Sequence, residues 1–237
     1  MRHLRLRASR AGANLLIGAA LLAWSGCGGG ELASQLSMRP RPKVLPATGQ
    51  AVVHVPADEP FTIALAPSSE TPGLGGTAEA DSHADPAGSA DAFARVKTSG
   101  KASAEFQLGC SLKNDTDHQV KMKVQAKCHY ETELTLTPPQ PAPGVQLVLR
   151  LYARDYNNRL VRKDHVFTAT GENGGGATSG TVDLSFTHIL GPGEAIDVFF
   201  AGAATIDIRE GRSATCRIKL RDARMQVSTE AAPAMRP

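Results

Sequence analysis

Two glutamates on one predicted strand have a spacing that a hydrolase could use. Glu131 and Glu133 are separated by one residue, so both side chains lie on the same strand face, about 7 Å apart. That separation overlaps the range of inverting glycosidases, in which one carboxyl protonates the leaving group and the other activates water. The pair also follows Lys121, Lys123 and Lys127 along the same face, which is typical of a solvated strand. We therefore expect no catalytic residue, and keep an envelope glycan hydrolase using this pair as the alternative.

Three cysteines fall at inward positions of predicted strands: Cys110, Cys128 and Cys216. A turn near Asp115 would place Cys110 about 23 Å along the strand from Cys128, which is too far for a disulfide. The predicted disulfide therefore joins Cys216 to Cys128 or Cys110, and three buried thiols are the other interpretation. Because no two cysteines have the close spacing of zinc or redox sites, we expect no metal and no cofactor.

Two predicted connections are rich in side chains that could contact a ligand. They contain Asn114, Asp115 and Asp117 in one and Asp155, Asn157 and Asn158 in the other. The same residue types are preferred by tight turns, whatever the function. A metal-binding envelope protein is a further alternative, in which His118 or His129 would converge with Asp115 or Asp117.

Basic side chains recur at outward positions of three predicted strands. They are Lys121, Lys123 and Lys127 on the second strand, Arg150 and Arg154 on the third, and Arg217, Lys219 and Arg221 on the last. If these strands are neighbours, the side chains form one basic face suited to an anionic glycan. Otherwise they keep the solvent side hydrated and discourage pairing of sheet edges.

The elements that would position these residues are strands. Apolar and polar residues alternate with a period of two through residues 104–229, and no helical period is present. Seven to eight such segments predict an all-β fold, an antiparallel β-sandwich of immunoglobulin-like or jelly-roll type, after a disordered N-terminal region. Asn114 to Asp117 is the predicted turn between the first two strands, Asn157-Asn158 marks a hairpin, and Gly202 is a bulge candidate.

Composition divides the rest of the chain. Residues 27–50 are a predicted tether, 51–65 contain two short edge-strand candidates, and 230–237 form a disordered tail. Residues 66–103 consist mainly of Ala, Gly, Ser, Pro, Asp and Glu, with few aliphatic side chains. Such a segment buries little apolar area to offset its ordering entropy, so we predict a disordered linker before the domain at 104–229.

The first 26 residues are a predicted export signal, with four arginines and no acid before an apolar run that ends at Trp24. The run continues as Ser25-Gly26-Cys27, and here the chain resembles a bacterial lipoprotein precursor with its lipobox. The resemblance implies cleavage before Cys27, acylation of that cysteine by palmitate-type chains and attachment to the bilayer. In lipoproteins of this kind an Asp after the cysteine often retains the protein in the inner membrane, so the resemblance, with Gly28 at that position, implies the outer membrane.

Charge gives no nucleic-acid signal. The chain has 26 Lys and Arg against 23 Asp and Glu, and removal of the four arginines before Cys27 changes the net charge from +3 to −1. We expect a lipid-anchored protein of the cell envelope that presents a non-catalytic β-sandwich for binding or structural roles. Its expected partners are the bilayer, through Cys27, and an anionic glycan or an envelope protein.

Overall fold

The computed structural model describes residues 43–44 and 52–231. The predicted export signal, Cys27 and most of the predicted tether and tail lie outside the described residues. The described chain is all β, which confirms the predicted fold class. Within it, no helix has the length and apolar character needed to cross a membrane.

Eleven strands fall within the described residues. In chain order they are β1 (Lys43–Val44), β2 (Val52–Val55), β3 (Ile63–Leu65), β4 (Ser68–Pro72), β5 (Thr77–Asp85), β6 (Ser89–Lys113), β7 (Val120–Thr137), β8 (Ala142–Asp155), β9 (Leu160–Gly171), β10 (Gly176–Leu190) and β11 (Ala195–Ala231). They join into one sheet that bends into the two layers of a β-sandwich. All pairs are antiparallel except the short parallel pair of β1 and β6.

The first layer contains β9, β8, the first part of β11 and the second part of β6. Here β11 pairs with β8 on one side and with β6 on the other. The edge of β6 carries β4, β3 and β1 in succession. The predicted hairpin at Asn157-Asn158 is confirmed, since it joins β8 to β9.

The second layer contains β5, the first part of β6, the rest of β11, then β7 and β10. Here β11 lies between β6 and β7, and β10 pairs with β7 along its whole length. The short strand β2 pairs with residues 225–228 of β11. These follow Leu220, the last residue of β11 that pairs with β6. The two layers therefore share the long β6–β11 pair.

The shared pair bends where its backbone takes unusual conformations. On β6 the bend falls at Thr98 and Gly100, with φ of 71° and 141°, and on β11 at Gly211, with φ of 80°. The register between the two strands shifts between Ile208 and Arg212. A second shift lies between Arg221 and Arg224, where Asp222 has a φ of 51°. Irregularities of this kind increase local twist and let a long strand change layers.

The core lies between the layers and is built from the alternate residues that the pattern predicts. Phe106 and Leu108 of β6, Met122 of β7, Leu149 of β8 and Phe200 of β11 are almost completely buried in it. Between the layers, Tyr130 of β7 contacts Phe167 of the edge strand β9 with ring centroids 5.6 Å apart. The sandwich is thereby nearly closed on that side.

The prediction of a disordered linker at 66–103 is wrong, because β4, β5 and the start of β6 occupy it. Its small side chains alternate, and Ala92 and Ala94 are fully buried in the core. Alanine buries little area per residue, but the backbone of this segment is paired with β11 and β5, which satisfies its hydrogen bonds. The prediction relied on the number of aliphatic side chains in the segment, and this number is low in a strand whose buried residues are alanines.

Two further expectations are corrected by the strand order. Predicted strands around Val198, Ile208 and Ile218 are one continuous β11, and Gly202 is not a bulge because its register is regular. The turn at Asn114 to Asp117 does not form a hairpin, since β11 lies between β6 and β7 in the sheet. The edge-strand candidates in 51–65 are present as β2 and β3.

Candidate functional site

The second layer exposes a continuous outer face, on which the odd-numbered residues of β7 point to solvent. Glu131 and Glu133 lie there beside β11, opposite Lys219 and Arg217 respectively. Together with Ser179 of β10 they line an open groove of about 750 Å³, which we call the acidic groove. The sequence therefore predicted correctly that the two glutamates share one face.

Four of the six basic residues that the sequence places on this face, Lys121, Lys127, Arg217 and Arg221, pair with acidic side chains, so the face is not the basic one predicted. Arg217 forms an ion pair with Asp91 of β6, and Arg221 lies 3.3 Å from a carboxylate oxygen of Glu131. On β7, the ammonium groups of Lys121 and Lys127 contact carboxylates as well. Their partners are Glu230 at 2.6 Å and Asp183 at 2.7 Å. Positive and negative side chains therefore alternate on this face, whereas an anionic ligand would favour a surface of positive charge alone.

Arg150 and Arg154 lie in the first layer, away from the other basic residues, and both are buried. The Arg150 guanidinium donates to the Tyr152 hydroxyl at 3.1 Å, and Arg154 stacks over the same ring with its guanidinium carbon 5.2 Å from the centroid. The Nε atoms of both arginines are buried without a hydrogen-bond partner. These two arginines therefore contribute nothing to a face on the second layer.

A larger cavity of about 1070 Å³ opens on the same outer face, nearer the start of β7. Its rim contains Pro56 and Pro60 after β2 and Pro86 in the β5–β6 turn, so we call it the proline pocket. Ala57 and Ala87 add further exposed apolar surface, whereas Val55, Ala223 and Met225 border the cavity but are buried toward the core. The pocket lies where β2 and β6 meet the irregular part of β11.

Backbone hydrogen bonds hold the rim of the proline pocket. Phe61 N–H donates to the Pro86 carbonyl at 3.0 Å, and Ala223 N–H donates to the Gly88 carbonyl at 2.9 Å. Gly88 has a φ of 109°, and a Cβ there would lie 2.7 Å from the Ala223 carbonyl oxygen. Only glycine fits at that position. Its close approach to Ala223 places the turn that carries Pro86 directly against β11.

Polar side chains form the opposite wall of the pocket. His54, Gln226 and Gln125 stand side by side in one cross-strand row, because the register pairs His54 with Gln226 and Gln226 with Gln125. The next row pairs Arg224 with Lys127. These side chains supply amide, imidazole, guanidinium and ammonium groups above an apolar floor.

Asp183 of β10 orients part of this wall. Its carboxylate accepts hydrogen bonds from the Lys127 ammonium at 2.7 Å and from Gln125 Nε2 at 3.0 Å. These bonds, Lys127 first, lower the pKa of the Asp183 carboxyl. The carboxylate therefore stays ionised and keeps two pocket side chains in place.

The turn residues proposed as ligand contacts hold the turns themselves. Asn114 is fully buried, and its amide oxygen accepts hydrogen bonds from the backbone and hydroxyl of Thr116. The remaining side chains of the set form local contacts: Asp115 with Lys113, Asp117 with His118, Asp155 with the backbone of Arg159, and Asn158 with Arg154. Asn157 lies in the turn between β8 and β9, and neither cavity on the outer face is lined by any of these residues.

The two histidines of the metal-binding alternative do not lie in a cluster of acidic side chains within the described part of the chain. His118 Nδ1 lies 2.9 Å from an Asp117 oxygen, and His129 Nδ1 lies 3.0 Å from the Thr181 hydroxyl. Among residues 43–44 and 52–231 there is no group of three or more His, Cys, Asp or Glu side chains that could hold a metal ion. The metal-binding alternative therefore receives no support from the described residues.

The predicted disulfide of Cys216 with Cys128 or Cys110 is absent from the structure, and all three cysteines are buried thiols. Cys216 lies opposite Leu134, six residues from Cys128, or about 20 Å along β7. Cys110 instead contacts Met225, with the two sulfur atoms 3.7 Å apart. The disulfide expectation failed because the register places Cys216 opposite Leu134 and Ala94, far along the strands from Cys128 and Cys110.

No protein-family model matches this chain, and no curated protein matches it. Solved structures with some similarity include an arabinose-bound α-L-arabinofuranosidase, at 12% identity and a TM-score of 0.25 over 68% of this chain and 23% of that one. The CBM22-1 xylan-binding domain from Paenibacillus barcinonensis Xyn10C aligns at 12% identity and a TM-score of 0.24, over 79% of this chain and 100% of the domain.

A third similar structure comes from work on the promiscuous specificity of carbohydrate-binding modules of the β-sandwich superfamily. It has 11% identity and a TM-score of 0.21, and covers 67% of this chain and 55% of that one. This chain spans less than a quarter of the length of the arabinofuranosidase structure. Similarity of this degree says nothing about a ligand or an activity of this chain.

The proline pocket was not predicted from the sequence. Its rim comes from segments 56–60, 85–88 and 222–224, of which the second fell in the predicted linker. The available signals were Asp85-Pro86-Ala87-Gly88, a turn sequence between alternating segments, and the prolines after Val55. That these segments lie side by side follows only from the order of the strands in the sheet, which the sequence does not give.

Proposed function

We propose that this chain is a lipid-anchored protein of the bacterial cell envelope, in the outer membrane, whose β-sandwich binds an uncharged glycan without turning it over. The observation that carries the binding part is the composition of the proline pocket. Its apolar floor and its row of His54, Gln226 and Gln125 match a sugar ring, which has an apolar face and a rim of hydroxyl groups.

Charge pairing supports an uncharged ligand over the anionic glycan expected from the sequence. Lys127 of the pocket is bonded to Asp183, and the neighbouring acidic groove pairs Arg221 with Glu131. Asp85 and Asp222 also lie at the pocket, beside Arg224. A ligand with a negative charge would meet both signs here, whereas hydroxyl groups can donate to the acids and accept from the bases.

The arrangement of the two glutamates supports binding without hydrolysis. Hydrolysis by an acid pair needs one carboxyl kept protonated by an apolar or crowded site. Glu131 is about half exposed, lies 3.3 Å from the Arg221 guanidinium and lines an open groove, which is neither an apolar nor a crowded site. An open groove with Arg217 and Lys219 on the β11 side and Ser179 on the β10 side suits carboxylates that accept hydrogen bonds from hydroxyl groups.

Anchoring rests on Cys27 and its flanking residues in the sequence. Two or more acyl chains on one cysteine give stable attachment to a bilayer, where a single chain is marginal. Fifteen residues lie between Cys27 and Lys43, so the two are at most about 55 Å apart when the chain is fully extended. The sandwich would then remain within reach of the membrane that carries it.

Calorimetric titration tests the binding part. We expect chitotetraose or cellotetraose to bind, and a Gln226→Ala variant to bind about fivefold more weakly, which corresponds to one lost hydrogen bond. Gln140→Ala is the matched control, because Gln140 lies in the β7–β8 connection outside the pocket. Stronger binding of an acidic tetragalacturonate, or no binding of any oligosaccharide, would overturn the glycan proposal.

Intact mass and membrane fractionation test the anchor. We expect the natively expressed chain to lack residues 1–26, to carry acyl mass and to sediment with the outer membrane. A Cys27→Ser variant should remain unacylated and leave the membrane fraction. A soluble, unacylated wild-type product would contradict the lipid anchor. It would not bear on the proposed glycan binding, which the calorimetric titration tests separately.

A further inference from the structure

We infer that the proline pocket and the acidic groove are two ends of one binding track, and that the ligand is a linear glycan chain lying along β7. The inference rests on the proposed glycan binding and specifies the form of the ligand. It depends on three observations: the shared face, the junction between the cavities and the balance of charge along them.

Both cavities open on the same face of the same strands. The proline pocket is lined by Gln125 and Lys127, and the acidic groove by Glu131, Glu133 and Thr135, which are successive outward positions of β7. From Gln125 to Thr135 the strand advances about 33 Å. A single sugar would fill a small part of that length, whereas an extended chain would contact both ends.

The residues at the junction leave the face open. His129 is exposed and is the outward residue between Lys127 and Glu131. Its cross-strand neighbours are Thr181 on β10 and Arg221 on β11, so polar side chains span the width of the junction. His129 Nδ1 lies 3.0 Å from the Thr181 hydroxyl, and Arg221 contacts Glu131 at 3.3 Å.

Charge along the track alternates in sign at close range. Moving along it, Lys127 is bonded to Asp183, Arg221 contacts Glu131, and Arg217 pairs with Asp91. Such a surface offers hydrogen-bond donors and acceptors at regular intervals and has no net field to select an ion. A polymer of uncharged, hydroxyl-rich units fits this pattern better than a nucleic acid or a polyanionic chain.

Chain length is the variable that distinguishes a track from a single pocket. We would titrate the protein with chitobiose, chitotetraose and chitohexaose, and with the cellulose-derived oligosaccharides of the same lengths. A track predicts affinity that rises by about tenfold or more from the disaccharide to the hexasaccharide, because additional units make additional contacts. A pocket alone predicts affinity that is constant beyond the units it encloses.

The junction supplies the variant. His129→Ala should weaken binding of the hexasaccharide about fivefold and leave binding of the disaccharide unchanged. His165→Ala is a matched control, because the His165 ring also contacts a threonine hydroxyl, that of Thr168 at 3.2 Å, but lies on β9, outside both cavities. Both histidines are exposed, so folding should be unaffected in either variant.

The outcomes separate this inference from the function on which it rests. Equal affinity for all lengths, with no effect of His129→Ala, would overturn the track and leave the pocket as a glycan site. Absence of binding at every length would remove the proposed function itself. Length-dependent affinity that is lost in His129→Ala and kept in His165→Ala would support both.

Discussion

The side-chain amide of Asn114 donates a hydrogen bond to the Leu190 carbonyl oxygen, 3.0 Å away, and so joins the β6–β7 connection to the end of β10. The same nitrogen lies 2.8 Å from the His118 carbonyl oxygen and 3.1 Å from that of Gly191. In return, the Asn114 carbonyl accepts from Gly193 N–H at 2.8 Å. One buried residue thus holds two connections together at one end of the sandwich.

Replacement of Asn114 by alanine should therefore destabilise the fold. The variant leaves buried carbonyl groups without their donor, and we expect a loss of about 2–3 kcal/mol in the free energy of unfolding. Chemical denaturation measures it. Asn173→Ala, in the exposed β9–β10 connection, is the control and should change stability by less than about 0.5 kcal/mol. Equal effects of the two variants would show that the buried amide bonds contribute nothing.

The three buried cysteines should be unreactive in the folded protein. Burial raises the pKa of Cys110, Cys128 and Cys216 from an ordinary value near 9 to about 12, so no thiolate is available at neutral pH. In a Cys27→Ser background we expect iodoacetamide to modify none of the three in the native state and all three in guanidinium chloride. A missing thiol in the unfolded sample would instead indicate a disulfide.

The same pKa values predict how stability changes in alkali. A thiol with a raised pKa holds its proton more tightly in the folded state than in the unfolded state. Its contribution to stability is complete below the unfolded pKa near 9 and is lost as the pH rises toward 12. Urea denaturation between pH 8 and pH 11, repeated on a Cys216→Ala variant, should show a shallower alkaline decline in the variant. Identical slopes would contradict a buried neutral thiol at Cys216.

Gly202 should not tolerate a side chain. A Cβ at this position would lie 2.3 Å from carbon atoms of the Phe106 ring, which occupies the space above it in the core. Gly202→Ala forces that ring to move, and we expect a loss of about 1–3 kcal/mol, measured by thermal or chemical unfolding. At Gly176 a Cβ meets nothing within 4 Å, so Gly176→Ala serves as the control and should be close to neutral.

The carboxyl of Asp183 should have a lower pKa than the carboxyl of an ordinary aspartate. Its hydrogen bonds from Lys127 and Gln125 lower the pKa of the carboxyl, so the contacts persist at neutral pH and are lost only as the pH falls through that lowered value. Carboxyl carbon NMR measures the titration directly. A Gln125→Ala variant should titrate at higher pH than the wild type, and a titration near the ordinary value of about 3.9 in both would contradict the contacts.

The alternating pattern predicted the class of fold and the buried face of most strands, including Glu131 and Glu133 on one outward face. It could not predict strand order, since alternation fixes the face of a residue and not its neighbour. The disulfide depended on which residues are neighbours, and Cys216 lies opposite Leu134 and Ala94 instead of another cysteine. The basic face failed although β7 and β11 are neighbours, because acidic side chains of other strands pair with its cations and Arg150 and Arg154 lie in the other layer. The alanine-rich strands failed for another reason, because small side chains carry little hydrophobic signal even when fully buried.

The long pair of β6 and β11 also determines the order in which this chain can fold. Its two strands come from opposite ends of the domain, with Ala90 paired to Leu220 and Lys113 to Ala195. Because contacts between distant residues require closure of a long loop, they form slowly and late. In a chain that emerges from its N-terminus, β1, β3, β4 and β5 can pair with one edge of β6, but the other edge has no partner until β11 is also present. Until then, the exposed edges of β6 and β7 are open to pairing with other chains, so chaperone protection matters most before the last forty residues arrive.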